Sequence, residues 1–136
     1  MNNRFSGRRV LLVEDEPIVA WLLKDMLVSF GCSVVGPAAD VNQALAMIDA
    51  ESIDVAVLDV NLRGQMSYPI ADVLVARGVP FVFSTGYDQD RLLDGYRTFP
   101  ALQKPFHRSD LGDTLAKLLA SKERNVESAI ATAVDD

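Results

Sequence analysis

The stretch Val55-Ala56-Val57-Leu58-Asp59-Val60 decides the fold, because it is apolar throughout except for one acid near its end. An apolar run without alternating polar residues is typical of a strand that is buried on both faces of a parallel sheet. Asp59 interrupts the run at the point where such a strand would leave the sheet. The sequence therefore predicts a central parallel strand with a carboxylate at its carboxyl end.

Apolar runs and helical patterns alternate on both sides of this strand. Strands are predicted at residues 10–13, 33–36, 53–60, 79–83 and 101–103. Helical patterns lie between them and after the last one, so we expect a doubly wound α/β fold with a five-stranded parallel sheet and five helices. The helix predicted at residues 88–97 is short and poorly anchored, because this segment has few core residues and contains Gly95.

The first helix is predicted to begin at Pro17, directly after three acidic residues. Apolar residues then recur at helical spacing and are expected to face the core: Ile18, Val19, Leu22, Leu23, Met26, Leu27 and Phe30. Trp21 lies off this stripe, and we expect it to be partly exposed.

Composition narrows the classes of function. The chain has 136 residues, the size of one domain, and 49% of them are hydrophobic. A net charge of −6 argues against nucleic acid as a partner, since nucleic-acid binding depends on clustered Lys and Arg. No apolar run is long enough to cross a bilayer. Cys32 is the only cysteine, which favours a reducing, cytoplasmic environment.

Polar residues follow four of the predicted strands. Glu14 and Asp15 follow the first strand, Asp59 ends the third, Thr85 follows the fourth and Lys104 follows the fifth. Because the carboxyl ends of parallel strands meet at one edge of such a sheet, and ligands bind there, these side chains should lie close together.

Three carboxylates at one edge need positive charge. A pair about 4 Å apart costs roughly 1 kcal/mol in water and about 4 kcal/mol at an effective dielectric near 20. Lys104 and a divalent cation can both offset this repulsion, and oxygen ligands of this kind suit Mg²⁺. Asp15 and Asp59 would coordinate the ion, with the main-chain carbonyl of Asn61 nearby and Glu14 acting through water.

A carboxylate beside Mg²⁺ can attack phosphorus. Lys104 and the Thr85 hydroxyl would each hold one phosphoryl oxygen, and phosphoryl transfer requires mainly such positioning and charge neutralisation. The predicted product is an aspartyl phosphate on Asp59.

Four motifs, in this order and spacing, resemble the receiver domains of two-component response regulators: Glu14-Asp15, Val57-Leu58-Asp59, Thr85-Gly86 and Lys104-Pro105-Phe106. The resemblance implies a flavodoxin-like receiver fold with strand order 2-1-3-4-5. It covers residues 9–121, with residues 1–8 as an N-terminal extension and 122–136 as a C-terminal tail.

The resemblance also implies a role for each residue at the edge. Asp59 would be the phosphoacceptor, Glu14 and Asp15 the acid pair for Mg²⁺, and Thr85 and Lys104 the switch and charge partners. Ala101 occupies the position where receivers usually carry the aromatic residue that moves on activation.

A second motif points to a subgroup of receivers. Phe83-Ser84-Thr85-Gly86-Tyr87 resembles the Phe-Ala-Thr-Gly-aromatic motif of atypical, mostly stand-alone receivers. We therefore hypothesise that Tyr87 is the moving aromatic, and that residues 85–97 change conformation on phosphorylation.

The expected function is that of a single-domain response regulator in a two-component system or phosphorelay. A sensor histidine kinase or a histidine phosphotransfer protein would donate the phosphoryl group, and the signal would pass to a downstream protein by contact. The chain would not be an enzyme beyond its own phosphorylation and slow dephosphorylation. Two alternatives stay open: a degenerate receiver that acts as a docking module, and an aspartyl-phosphate phosphatase of the haloacid dehalogenase type. The phosphatase is disfavoured because Asn61 stands where its second aspartate belongs.

Overall fold

The computed structural model describes residues 4–86 and 92–135, with side chains described as far as Glu123. The strands are β1 (Arg9–Val13), β2 (Ser33–Ala38), β3 (Val55–Asp59), β4 (Asn61–Leu62), β5 (Gln65–Met66), β6 (Phe81–Thr85) and β7 (Ala101–Gln103). The helices are α1 (Pro17–Ser29), α2 (Val41–Ala50), α3 (Tyr68–Ala76), a 3₁₀ helix (Asp94–Tyr96) and α4 (Arg108–Asp135).

The main sheet is parallel and has the order β2-β1-β3-β6-β7. This arrangement confirms the predicted α/β fold and its strand order 2-1-3-4-5. Strand β3 lies in the middle, and all five of its residues are buried, as its uninterrupted apolar run predicted. A separate antiparallel hairpin of β4 and β5 follows directly after β3. The sequence analysis did not predict this hairpin.

Alternate residues of each strand point to opposite faces of the sheet, and each face has its own apolar core. Leu12, Val57 and Val82 lie on the face covered by α1 and α4, which we call the α1/α4 face. Leu11, Leu58 and Phe83 lie on the face covered by α2 and α3, which we call the α2/α3 face.

The prediction of five helices is wrong for the described residues, which contain four α-helices and one short 3₁₀ helix. The missing helix was predicted at residues 88–97, of which 88–91 lie outside the described residues. The described remainder forms only the 3₁₀ turn Asp94–Tyr96. Gly95 disfavours an α-helix there, and Tyr96 and Phe99 on either side of the turn's end pack against the sheet core.

Helix α1 buries a narrower face than the sequence predicted. Ile18 is 76% exposed and Leu22 is 46% exposed, so their assignment to the core is wrong. Ala20, Leu23 and Leu27 form the buried face. The apolar stripe of α1 is wider than the arc that a helix can press against one sheet, so part of it stays outside. Trp21 is 65% exposed, as expected.

Helix α4 is much longer than the predicted final helix. Leu111, Leu115 and Leu119 pack on the α1/α4 face, and the helical backbone continues to Asp135. At about 1.5 Å per residue its 28 residues span about 42 Å. Residues 122–136, which the sequence analysis set apart as a tail, thus begin within a continuous helix. Among the described residues, no helix has the length and apolar character needed to cross a membrane.

Candidate functional site

Three carboxylates meet at the carboxyl edge of the sheet. One oxygen from each of Glu14, Asp15 and Asp59 lies within 4.8 Å of the others. Glu14 and Asp15 follow β1 and Asp59 ends β3, and these two strands are direct neighbours in the sheet. The fold therefore brings together the acids that the sequence analysis selected.

Lys104 joins the cluster from the end of β7. Its Nζ donates a hydrogen bond to Glu14 Oε1 at 2.5 Å and lies 3.6 Å from Asp59 Oδ2. The Lys104 main-chain N–H donates to the Thr85 carbonyl at 2.7 Å, and the peptide bond to Pro105 is cis. The Glu14 side chain is fully buried, and a buried carboxylate of this kind requires a charged partner.

The charges at this edge alter each other's ionisation. Burial, followed by the charge of Glu14, raises the pKa of Asp59 to about 7, and Lys104 only partly opposes this rise. Burial by itself would lower the pKa of Lys104, but its hydrogen bond with Glu14 and the charge of Asp59 outweigh burial and raise that pKa. Asp59 therefore needs additional positive charge to be fully ionised at neutral pH.

Thr85 and Asn61 line the same cleft as Asp59. Thr85 is buried at the end of β6, and Asn61 opens the β4–β5 hairpin. The Asn61 Oδ1 accepts a hydrogen bond from the Gly64 N–H at 2.6 Å, which closes the hairpin turn. The cleft has a volume of about 380 Å³ and is lined by Asp15, Glu16, Asp59, Asn61, Arg63, Gly64, Thr85, Gly86 and Lys104.

Arg63 is a residue of the cleft that the sequence analysis missed. Its Nε lies 3.7 Å from Asp15 Oδ2, and its Nη2 donates to the Asp15 main-chain carbonyl at 3.3 Å. The available signal was Arg63-Gly64 four residues after Asp59, because an adjacent glycine is typical of a tight hairpin turn. The pattern was too short to be recognised as a pair of strands.

The donor set of the cleft fits a magnesium ion. Glu14, Asp15 and Asp59 supply only oxygen ligands, and the side chains of Asp15 and Asp59 remain 10% and 12% exposed to the cleft. A hard divalent cation that keeps some of its waters suits such an open carboxylate site. The predicted contribution of the Asn61 main-chain carbonyl stays a prediction.

An apolar surface adjoins the cleft. Leu22 and Met26 of α1 and Phe106 after β7 line a depression of about 360 Å³, whose edge is formed by Lys104. Ile18 and Trp21 are exposed on the same helix. The charged cleft and this apolar surface therefore share Lys104 as a boundary.

Solved structures with this fold include close counterparts. The solution structure of SdrG from Sphingomonas melonis Fr1 is 42% identical, has a TM-score of 0.70, and is matched over 90% of this chain and 98% of that one. The crystal structure of the response regulator PhyR from Brucella abortus is 28% identical with a TM-score of 0.82, over 93% of this chain and 54% of that one.

A third structure bears on the metal. The receiver domain of the sensor histidine kinase PA1611 from Pseudomonas aeruginosa PAO1 has a magnesium ion coordinated in its active-site cleft. It is 28% identical with a TM-score of 0.70, over 85% of this chain and 99% of that one.

Comparisons of the amino-acid sequence also bear on the family of this chain. Curated transcriptional regulators from Mycobacterium tuberculosis are 30% identical over 132 residues, and the match covers 92% of this chain but 64% of their length. The family model described as the response regulator receiver domain matches residues 10–116, which is most of the chain. The chain therefore belongs to the response regulator receiver family.

Proposed function

We propose that Asp59 accepts a phosphoryl group from a phosphohistidine of a sensor histidine kinase or a histidine phosphotransfer protein. The observation that carries this proposal is the position of Asp59, whose carboxylate lies beside two further acids and 3.6 Å from the Lys104 ammonium. A structural carboxylate would need one cationic partner, whereas this cluster gathers negative charge around a cleft that is open to solvent.

The transfer step requires positioning and charge neutralisation. A carboxylate oxygen of Asp59 attacks phosphorus as the bond between phosphorus and the histidine nitrogen breaks, and the electron pair of that bond leaves with the imidazole. Lys104 binds one phosphoryl oxygen and the Thr85 hydroxyl binds another. A bound magnesium ion, held by Asp15 and Asp59 with Glu14 in support, would neutralise charge on the acceptor and on the phosphoryl group.

The apolar surface beside the cleft supports a protein as the phosphoryl donor. Ile18, Trp21 and Leu22 of α1 are large side chains that remain exposed. Leu22 lines the depression that also reaches Lys104, whose Nζ lies 3.6 Å from Asp59 Oδ2. A donor helix lying on this surface would bring its histidine to the cleft. Exposed apolar patches of this kind are typical of protein contacts.

We infer further that the chain is a signalling module and not an enzyme with a separate substrate. Its consequences would pass to a downstream protein, and its own chemistry would be limited to gaining and slowly losing the phosphoryl group. Asn61 replaces the second aspartate that a phosphatase of the haloacid dehalogenase type would use as its acid. A docking module that binds no phosphate is the remaining alternative, and it would leave the ion pair between Lys104 and the buried Glu14 without a role in chemistry.

Intact mass spectrometry after incubation with acetyl phosphate and Mg²⁺ tests the proposal. We expect one added phosphate on the wild type, and none on Asp59→Asn or without metal. Asp113→Asn is the matched control, because Asp113 is exposed and pairs with Arg4, which does not line the cleft, so this variant should be phosphorylated like the wild type.

Some acceptors take phosphate only from their partner protein, so the same assay is repeated with purified phosphohistidine donors. Failure with both kinds of donor would favour the docking module. Phosphate on Asp59→Asn would show that another residue is the acceptor.

A further inference from the structure

Arg63 is the one described residue other than glycine that has a positive φ, at 55°. It forms the two-residue turn between β4 and β5 together with Gly64, whose φ is 89°. Such turns require a positive φ at both central positions, and Asn, Asp or Gly normally occupies the first of them. Arginine adopts this backbone unfavourably, and an unfavourable backbone in a cleft raises the question of what its side chain does there.

The turn directs the guanidinium to Asp15. The Arg63 Nε lies 3.7 Å from the carboxylate, and Nη2 donates to the main-chain carbonyl of the same residue. The Asp15 side chain is 10% exposed, whereas that of Arg63 is 71% exposed. Arg63 therefore covers a nearly buried carboxylate from the solvent side and keeps room to move away.

The two cationic side chains of the cleft pair with different carboxylates of the acidic cluster. Lys104 contacts Glu14 and Asp59, while among the described residues Asp15 forms its ion pair with Arg63. The same Asp15 is one of the residues whose oxygens would hold a divalent cation. Asp15 is thus placed to pair either with the guanidinium of Arg63, which is part of the protein, or with a metal ion, which can exchange.

We propose that Arg63 acts as a built-in competitor of Mg²⁺: it neutralises Asp15 in the metal-free protein and lowers the affinity of the cleft for the ion. The proposal rests on the proposed function, since it assigns the metal to this cleft. Arg63 is a positioning residue, because it acts through Asp15 and not on a reacting atom. Mg²⁺ binding must displace the guanidinium from the carboxylate or tolerate a like charge beside it.

Isothermal titration of the metal-free, unphosphorylated chain with Mg²⁺ measures the competition directly. Arg63→Gln keeps a long polar side chain at the same backbone position but removes the charge. We expect it to bind Mg²⁺ about three- to tenfold more tightly than the wild type, from the repulsion of a single and a double charge a few ångströms apart in solvent. The difference should shrink as the salt concentration rises, because salt screens exposed charges.

Arg77→Gln is the matched control. Arg77 also forms an exposed ion pair, with Asp49 at the ends of α3 and α2, but it does not line the cleft. This variant should bind Mg²⁺ like the wild type, which shows that the overall loss of one positive charge is not sufficient. Equal affinity of Arg63→Gln and wild type, or weaker binding by Arg63→Gln, would overturn the proposal.

A double-mutant cycle places the effect at Asp15. In the background of Asp15→Asn, Arg63 has no carboxylate to hold, so removing its charge should change Mg²⁺ affinity less than in the wild type. An undiminished effect in that background would overturn the pairing with Asp15. If neither wild type nor Arg63→Gln binds Mg²⁺, the competition is also refuted.

Phosphorylation of Asp59 is measured separately and does not enter this readout. A chain that takes phosphate but shows no Arg63 effect keeps the proposed function and loses only this inference. A chain that shows the Arg63 effect but takes no phosphate keeps the inference about the metal and loses the phosphoacceptor.

Discussion

The two faces of the central sheet are covered in different ways. On the α1/α4 face, two long helices lie over the strands, and Leu27, Leu111 and Leu115 are fully buried beneath them. On the α2/α3 face, two shorter helices pack against the apolar core, and the rest of the described cover comes from side chains of residues 92–99. Tyr96 and Phe99 are the largest of these, and both are only partly buried.

Ring contacts and single hydrogen bonds replace the missing helix. The rings of Tyr68 and Tyr96 stack at 4.3 Å, and Tyr96 Oη donates to Asp72 Oδ1 at 2.7 Å. The Leu93 N–H donates to Tyr68 Oη at 3.3 Å. Ala101, where the resemblance expects an aromatic, pairs in register with Phe83 in the same region.

The difference between the two faces indicates where the molecule can change conformation at a low cost in free energy. A face covered by helices loses many buried contacts if it opens, and its opening approaches global unfolding. A face covered by a few partly exposed rings can rearrange locally. The sequence analysis selected residues 85–97 for movement. Of these, Leu92 and Tyr96 pack on the α2/α3 face, and residues 87–91 lie outside the described structure.

Breaking the α1/α4 face should give the largest effect. Leu115→Ala removes a fully buried side chain between α4 and the sheet, and we expect it to lower the free energy of unfolding by about 2 to 5 kcal/mol. Urea denaturation followed by circular dichroism measures this loss. Leu93→Ala is the control, since Leu93 is 59% exposed and its truncation should cost far less. A loss below that of the control would show that α4 contributes little to the core.

Removing the charge of Asp59 should give an effect of intermediate size that depends on pH. Since the pKa of Asp59 is raised to about 7, between about pH 4 and 7 the native state holds a proton that the unfolded chain releases. The contribution of Asp59 to the stability of the metal-free wild type therefore falls as the pH rises through this window. We expect Asp59→Asn to be more stable than the wild type at pH 8, on the order of 1 to 4 kcal/mol.

Thermal unfolding in the presence of a chelator, from pH 4 to pH 8, measures this difference. The stabilities of the wild type and Asp59→Asn should converge at the acid end of this range, where Asp59 becomes protonated in both the folded and the unfolded state. Addition of Mg²⁺ at pH 8 should narrow the gap by stabilising the wild type alone. A gap that grows as the pH falls would contradict the raised pKa.

Loosening the α2/α3 face should give the smallest global effect. Tyr96→Phe removes the hydrogen bond to Asp72 but keeps the ring stack on Tyr68, so we expect a loss of about 0.5 to 1 kcal/mol. Hydrogen exchange should show faster opening of residues 92–103 without comparable change in β1 and β3. Asp72→Asn in the same background should add little, because the bond is already absent. Equal acceleration in all strands would show that the two faces unfold together.

Much of the fold could be predicted because its signals are local. The apolar run of β3 and the polar residues at the strand ends follow from which side chains tolerate burial. The parallel direction of the strands then determines that these strand ends share one edge. The exposed side of α1 could not be predicted, because Ile18 and Leu22 are as apolar as the residues that the sheet buries. What distinguishes the exposed residues from the buried ones is only the width of the α1 surface that packs against the sheet.

By itself, the sequence determined which residues meet at the edge of the sheet: Glu14, Asp15, Asp59, Thr85 and Lys104. It did so because the alternation of apolar strands and helices along the chain indicates a parallel sheet, in which the carboxyl ends of the strands lie at one edge. The tertiary structure decided how their charges pair. Lys104 lies closer to Glu14 than to Asp59, and Arg63 reaches Asp15 from a hairpin that no pattern revealed. Ion pairing depends on burial and on distances of a few ångströms between separate strands, and packing alone sets these.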